Sequence, residues 1–249
     1  MKIALMKSET KDSDPYPTIL SQLGHVETIS VLEFSFFNLK ELSDCITHPE
    51  YWDGVIFTSP RAVDAVTKCY FKSIPELWKT LPCYTVGGAT ARAATSLGFQ
   101  CLGESTGNGE KLATFIVNHR QSGNLNEAKP LLFVAGVLKR DKLPTILTDN
   151  GISFEVLDCY KTLQNPNVDE IIQSYVARNG LPTHIVFFSP SSYKFSYESW
   201  KHILSTHLSN VVFVAIGSTT LKSFDDFIQN PLCSKKPSPE SLLEVLKQI

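Results

Sequence analysis

The sequence contains an internal duplication with a period of about 130 residues, which constrains the fold more than any other feature. The segment VIFTSPRAV at 55–63 has a counterpart, IVFFSPSSY, at 185–193, so Ser59 and Ser189 end equivalent apolar runs. Further blocks recur in the same order at offsets of 130 or 127 residues: Gly87 with Gly217, Asn108 with Ser238, and the tetrapeptide PTIL at 17–20 and 144–147. This order and spacing predict two domains of one fold rather than a solenoid of short repeats.

Each repeated block predicts a strand followed by a helix. Short apolar runs that end in Gly or Ser are typical of buried parallel strands, and the sequence has five: GVIFTS, CYTVG, LLFVAG, HIVFFS and VVFVAIG. Pro60 suits the first position of a helix, and Asn108 and Ser238 are residues that favour helix N-caps. Alternating strands and helices predict an α/β protein whose parallel sheet is covered on both faces.

The sequence leaves two arrangements of the halves open. In one, the domains follow each other at about 1–126 and 127–249. In the other, the chain crosses from one domain to the other after each PTIL block. The first PTIL block, near the start of the chain, then belongs to the same domain as the last blocks of the chain. The segments VLEFSFF (31–37) and DCYKTLQ (158–164) would then be two crossing links, able to pair as a ribbon.

Composition argues against several classes of function. A net charge of −2 does not favour nucleic-acid binding, which needs a basic face. The six cysteines contain no C-x-x-C pair and the six histidines no i,i+4 pair, so we expect reduced thiols in an intracellular protein and no metal. The apolar stretch at 3–6 is too short for a signal peptide, and no run approaches 18 apolar residues.

The predicted strand ends indicate where a ligand would bind. Ligands of open α/β sheets bind beyond the carboxyl ends of the strands, and here those ends read TSP, GGAT, AGVLKR, FSP and GSTT. They offer hydroxyls, glycines and helix N-termini. Each helix N-terminus contributes about 0.3–1 kcal/mol to the binding of a nearby anion. Cationic side chains can supplement them: Arg61, Lys111, Lys139, Arg140 and Lys142.

Plainer interpretations stand beside these. Ser59 and Ser189 lie in no G-x-S-x-G motif, so each is more simply a strand-to-helix cap than a nucleophile. VGGAT is similar to a nucleotide-binding turn, but no G-x-G-x-x-G motif follows a strand. VLKRDK has the composition of a solvated helix start, and Tyr160 that of a strand tyrosine with a hydrated hydroxyl.

Taken together, the blocks IFTSPRAV, VGGAT, GNGEKLA, LLFVAGVLKR, CYKT, FFSPS, AIGSTT and KPSPESL resemble uroporphyrinogen-III synthases over nearly the whole chain. The resemblance implies an α/β fold of two flavodoxin-like parallel-sheet domains joined by a two-stranded β ladder. It implies the crossed arrangement, with 1–33 plus 165–249 in one domain, 38–157 in the other, and 34–37 and 158–164 as linker strands. The two Ser-Pro junctions would then face each other across the cleft between the domains.

The resemblance also implies the chemistry. The expected substrate is hydroxymethylbilane, a linear tetrapyrrole with eight carboxylates, which would lose water and close to uroporphyrinogen III with ring D inverted through a spiro intermediate. No cofactor or metal is implied, and we expect a cytoplasmic monomer. Tyr160 matches the tyrosine suggested as proton donor. The expected substrate-binding residues are Thr58, Ser59, Arg61, Thr90, Lys139, Arg140, Ser189, Thr219 and Thr220.

A second hypothesis comes from another class of protein. Because fold does not fix function, two α/β lobes could also form a non-catalytic binding or sensor protein that closes on a small anionic ligand. Tyr160 together with the hydroxyl set favours the enzyme. The isomer formed from hydroxymethylbilane distinguishes the two hypotheses.

Overall fold

The computed structural model describes residues 1–8, 14–70, 73–122, 129–137, 142–226 and 228–247. The strands, in chain order β1 to β11, are Lys2–Lys7, His25–Ser30, Leu32–Phe36, Val55–Phe57, Pro82–Thr85, Gln100–Leu102, Leu131–Gly136, Phe154–Gln164, His184–Phe187, Val212–Ala215 and Leu232–Cys233. The α-helices, α1 to α10, are Pro15–Leu20, Leu39–Thr47, Pro60–Cys69, Gly88–Ser96, Gly109–Gln121, Lys142–Asp149, Val168–Asn179, Pro190–Leu204, Ser218–Leu221 and Pro239–Leu246.

The chain divides into two compact units. The first unit contains 1–33 and 163–249, and the second contains 34–162. The chain therefore passes from one unit to the other twice, once within β3 and once within β8. The link expected as a separate strand at 158–164 is the second half of β8, which runs without a break from 154 to 164.

The sheet of the first unit has the order β11-β10-β9-β1-β2, and every adjacent pair is parallel. Numbered by their order within the unit, the strands read 2-1-3-4-5, which is the flavodoxin-like order. The strand that ends at the Ser-Pro of Ser189 is β9, at the centre of the sheet.

The sheet of the second unit repeats this arrangement. Its order is β3-β8-β7-β4-β5-β6, and the five strands from β8 to β6 pair in parallel. The strand that ends at the Ser-Pro of Ser59 is again central, and β3 adds a sixth strand beside β8. The two-domain α/β fold with parallel sheets is confirmed, and the matching strand orders agree with the duplication.

Both sheets are buried on both faces, as parallel strands require. In β1, Ala4 and Met6 pack into one apolar cluster, whereas Ile3 and Leu5 pack into the cluster on the opposite face. In β4, Val55 and Phe57 face one way and Ile56 the other. Side chains alternate because successive residues of a strand point to opposite faces, so each apolar run serves two helix layers.

The five apolar runs singled out in the sequence are all strands: β4, β5, β7, β9 and β10. After Ser189, Tyr193, Tyr197 and Trp200 follow at helical spacing and are buried along α8. All six cysteines are free thiols in this structure. Within the described residues, no helix is both long and apolar enough to cross a membrane.

The duplication predicts similar costs for similar core deletions. Leu20 and Leu147 end the two PTIL segments, and each is fully buried in its own unit. We expect Leu20→Ala and Leu147→Ala each to lower the free energy of unfolding by about 2–5 kcal/mol, because each leaves a cavity. Urea denaturation followed by circular dichroism measures both.

The matched control is Leu77→Ala, since Leu77 is 43% exposed. Its effect should stay within about 0.5 kcal/mol. A Leu20 or Leu147 variant as stable as this control would contradict the equivalence of the two PTIL helices.

Candidate functional site

The residues at or just after the carboxyl ends of the strands, together with Tyr160 beside the end of β7, form one rim on each unit. We call them the second-unit rim (Thr58, Ser59, Arg61, Gly87, Gly136 and Tyr160) and the first-unit rim (Lys7, Ser189, Gly217, Thr219 and Thr220). In parallel sheets this edge carries the helix N-termini, whose backbone N–H groups attract anions.

Ser59 starts α3 as its N-cap. Its hydroxyl oxygen accepts a hydrogen bond from the backbone N–H of Arg61 at 3.2 Å, and Pro60 occupies the first helical position. The interpretation of Ser-Pro as a strand-to-helix cap is therefore confirmed here. Thr58 precedes the cap and is half-buried, like Ser59.

Tyr160 lies against Gly136 on the neighbouring strand. The two residues are register partners between β8 and β7, and the register shifts at this point. A Cβ atom on Gly136 would lie 2.6 Å from Cζ of Tyr160 and 3.0 Å from its hydroxyl oxygen. Only glycine leaves room for the phenol ring at this position, so Gly136 determines where the Tyr160 hydroxyl lies.

The surroundings of Tyr160 change its acidity. Burial raises the pKa of the phenol above its usual value, while an interaction with the Ser59 side chain and the positive charge of Arg61 oppose that rise. The carboxylate of Asp158 adds to it. Because the net shift is upward, the phenol keeps its proton at neutral pH and has a hydroxyl partner in Ser59.

Arg61 brings a positive charge to the same rim. Its guanidinium donates to Asp64 at 2.7 Å, one turn along α3, and lies 4.4 Å from the ring centre of Phe34. A guanidinium over an aromatic face is held by cation–π attraction. The side chain keeps 22% of its surface exposed, so this cation is both fixed and partly accessible.

The turn after β5 depends on a glycine as well. Gly87 has a φ of +79°, a conformation that favours glycine, and a Cβ there would meet no atom of the described residues within 4 Å. The open space allows a ligand to approach the backbone at the start of α4. Thr90, in the first turn of α4, is only 2% exposed, so its hydroxyl is less accessible than this backbone.

The first-unit rim also begins a helix with a Ser-Pro N-cap, but its hydrogen bonds differ. Ser189 is the N-cap of α8 and forms a capping box with Ser192: each side-chain oxygen accepts from the other residue's backbone N–H at 3.0 Å. At the end of β10, Thr219 is exposed, whereas Thr220 is 3% exposed. Gly217 has extended backbone, and a Cβ at this residue would lie more than 4 Å from every atom in the described part of the chain.

Lys7, at the end of β1, is a rim cation that the sequence analysis missed. Its ammonium group bonds Asp14 at 2.8 Å and lies 4.9 Å from the ring centre of Phe188 and 5.2 Å from that of Tyr16. The sequence signal for Lys7 is KIALMK, a short apolar run that ends in lysine. Its equivalence to LLFVAG would have placed Lys7 at the rim.

The predicted site residues are thus divided as follows. Thr58, Ser59, Arg61, Thr90 and Tyr160 belong to the second unit, and Ser189, Thr219 and Thr220 to the first. Ser59, Arg61 and Tyr160 interact directly or through their charges. Lys139 and Arg140 lie outside the described residues. Gly136, Lys7 and Phe34 are the additions that the structure makes.

A pocket of about 170 Å³ lies at the opposite edge of the second unit, between the end of α5 and the turn before β8. Its buried Arg120 lies 3.7 Å from Asp53, which precedes β4. Because this is the amino edge of the sheet, the pocket is separate from the rim.

Comparison with known proteins agrees with the resemblance seen in the sequence. The family model described as uroporphyrinogen-III synthase HemD matches residues 17–244. Uroporphyrinogen-III synthase of Saccharomyces cerevisiae is 27% identical, with 99% of this chain and 96% of that protein covered. The Schizosaccharomyces pombe protein of the same name is 29% identical, with 97% and 95% covered.

Solved structures support the fold. Uroporphyrinogen-III synthetase from Helicobacter pylori superposes with a TM-score of 0.66 at 20% identity, covering 99% of this chain and 98% of that one. A mutant uroporphyrinogen III synthase from Thermus thermophilus gives 0.58 at 16% identity, covering 99% and 97%.

The fit between Gly136 and Tyr160 can be tested through stability alone. Gly136→Ala should lower the free energy of unfolding by about 1–3 kcal/mol, because the added methyl group overlaps the phenol ring. In a Tyr160→Ala background the same substitution should cost little, since the ring is gone. Denaturation of the four proteins yields the coupling energy, expected at about 0.5–3 kcal/mol.

Gly109→Ala is the control, because its Cβ would make ordinary contacts, 3.6 Å from Leu143. Its cost should not depend on residue 160. Additive costs for Gly136→Ala and Tyr160→Ala would show that the ring does not occupy the space above Gly136.

Proposed function

The chain belongs to the uroporphyrinogen-III synthase family, and we propose that it closes hydroxymethylbilane with loss of water and inversion of ring D, through a spiro intermediate and without a cofactor. Membership makes the chain a cyclising enzyme of the lyase type in haem biosynthesis. The observation that carries the mechanistic proposal is the position of the Tyr160 phenol. It packs against Gly136 and interacts with Ser59 and the charge of Arg61.

The main task of such an enzyme is geometric. Hydroxymethylbilane is reactive enough to cyclise unaided to isomer I, so the protein has to make the substituted carbon of ring D attack instead. Holding two reacting centres in position can contribute about 7–11 kcal/mol, which is more than the choice between two isomers demands. We therefore propose that most of the site binds and orients, and that few groups take part in proton transfer.

We propose that Tyr160 donates the proton to the departing hydroxyl group. A phenol is a weak acid with an ordinary pKa of about 10, and burial raises the pKa of Tyr160 further. It therefore carries its proton at every physiological pH. As the phenolate begins to form, the Ser59 side chain and the Arg61 charge stabilise it, since both act to lower this pKa.

We propose that the two rims together hold the carboxylates. Hydroxyls of Thr58, Ser59, Ser189 and Thr219 and the backbone N–H groups that start α3, α4, α8 and α9 supply donors. Arg61 and Lys7 supply charge, with Lys139 and Arg140 as further candidates. Thr90 and Thr220 are buried, so their part in the proposal is to hold the first turns of α4 and α9. That the enzyme is monomeric and cytoplasmic stays a prediction.

The first test removes only the Tyr160 hydroxyl. We expect Tyr160→Phe to lower kcat by roughly 10–10²-fold with KM little changed, because the ring still packs while the acid is lost. The assay supplies freshly made hydroxymethylbilane and separates isomer III from isomer I.

Tyr175→Phe is the control, since the buried Tyr175 hydroxyl in α7 has no hydrogen-bond partner among the residues that the structure describes. An unchanged rate in Tyr160→Phe would remove Tyr160 from the mechanism. If the unaltered protein binds the bilane but yields isomer I alone, the binding-protein hypothesis replaces the enzyme.

A second test concerns Lys7 as a carboxylate contact. We expect Lys7→Met to raise KM about tenfold with kcat retained, because a charge-assisted hydrogen bond is worth roughly 1.5–3 kcal/mol. Lys2→Met, at the other end of the same strand and exposed, is the control.

Loss of Lys7 also removes the positive charge that neutralises Asp14, which still caps α1 through the Tyr16 N–H. The uncompensated carboxylate would repel the substrate. The double variant Lys7→Met/Asp14→Asn separates the two effects. A KM that stays high in the double variant supports a direct contact, whereas a KM restored to the original value assigns Lys7 to masking Asp14.

A further inference from the structure

Two cysteines of the second unit lie side by side on neighbouring strands. Cys83 on β5 and Cys101 on β6 are register partners in a parallel pair, and their sulfur atoms are 4.0 Å apart. We call Cys83 and Cys101 the cysteine pair. Neither cysteine is one of the rim residues assigned to the substrate.

The geometry of the pair suits a disulfide bond. Neighbouring strands lie about 4.7–4.9 Å apart, which falls inside the Cα separations of roughly 4.4–6.8 Å that disulfides span. Register partners in a sheet also point to the same face. The two sulfur atoms, 4.0 Å apart, have to approach by about 2 Å to reach the S–S bond length.

The two members of the pair differ in access. Cys83 is fully buried in the apolar cluster, whereas Cys101 is half-buried at the edge strand and packs against that cluster. A small oxidant therefore reaches Cys101 first, and Cys83 is the residue held within reach to react second.

We propose that the cysteine pair is a redox-active site that hydrogen peroxide or another small hydroperoxide converts to a disulfide. The Cys101 thiolate attacks the peroxide, giving a sulfenic acid and releasing hydroxide. The Cys83 sulfur then attacks the sulfenic acid, forming the S–S bond and expelling the oxygen as water. Two thiols are oxidised and one peroxide is reduced.

The surroundings favour the first step. The pKa of Cys101 is lowered to about 7, chiefly by a hydrogen bond with Cys83, with help from Thr95 and Thr85 and against burial and the charge of Glu104. Burial raises the pKa of Cys83 well above its usual value, so Cys83 keeps its proton when Cys101 loses its own. Burial likewise raises the pKa values of Cys45 and Cys69 to about 11.

Oxidation of the cysteine pair would also change the contacts between Cys101 and helix α4. The Cys101 sulfur donates to the backbone carbonyl of Ala91 at 3.4 Å and accepts from the Thr95 hydroxyl at 3.5 Å. A disulfide has no S–H, so the bond to Ala91 is lost. The same helix begins at the Gly87 turn of the second-unit rim.

The experiment treats the folded protein with hydrogen peroxide, blocks the remaining thiols with N-ethylmaleimide and maps the peptides by mass spectrometry. We expect a peptide joining Cys83 to Cys101 that dithiothreitol separates. Cys101→Ser should leave Cys83 reduced. Cys83→Ala should leave the oxidised Cys101 as a sulfenic acid that dimedone labels. Cys69→Ser, the control, should form the disulfide as the unaltered protein does.

Alkylation by iodoacetamide measures the reactivity of each thiol without forming a disulfide. At pH 7 we expect Cys101 to react about a hundredfold faster than Cys69, since its larger thiolate fraction outweighs its lower nucleophilicity. The Cys101 rate should fall as the pH drops below about 7, where the thiolate is protonated. A disulfide joining other cysteines, a dimedone adduct on Cys101 of the unaltered protein without a disulfide, or equal alkylation rates would each overturn the proposal.

Discussion

Parallel strands have to be buried on both faces, and this requirement shapes each unit of the chain. It explains why the strands are short apolar runs, with Ala4 and Met6 facing one helix layer and Ile3 and Leu5 the other. Because both faces are covered by helices, a ligand can reach the polar groups of the strands only where the strands end. The carboxyl edge, with its helix N-termini, is then the natural place for a polyanionic ligand.

Much of the fold could be predicted because its signals are local or periodic. The Ser-Pro junctions, the apolar runs and the 130-residue offset predicted the central strands and the repeated architecture. Strand β1 was missed, and Lys7 with it, since its run at the start of the chain was weighed only as a targeting signal. The alternative of two sequential domains also stayed open, because strand order depends on long-range pairing that no short motif encodes.

The site was harder to predict because it depends on register. That Gly136 lies beside Tyr160, and Cys83 beside Cys101, follows from which residue of one strand pairs with which residue of the next. The resemblance pointed to Tyr160 but not to the glycine that seats its ring. The burial of individual side chains could not be predicted from the sequence either. Thr90 and Thr220 match the hydroxyl pattern, yet both are buried in the first turns of their helices.

The two Ser-Pro junctions differ in one residue, with consequences for the proposed mechanism. Three residues after Ser189 lies Ser192, which completes a capping box, whereas three residues after Ser59 lies Ala62, which has no side-chain oxygen to return the bond. The α3 cap therefore lacks that reciprocal bond, and its serine interacts with Tyr160. Under the proposed function, the second unit supplies the proton-transfer group through Tyr160 and Ser59, whereas Ser189 in the first unit serves as a helix cap and a carboxylate contact. The halves of a duplicated fold can thus diverge in role without any change in strand order.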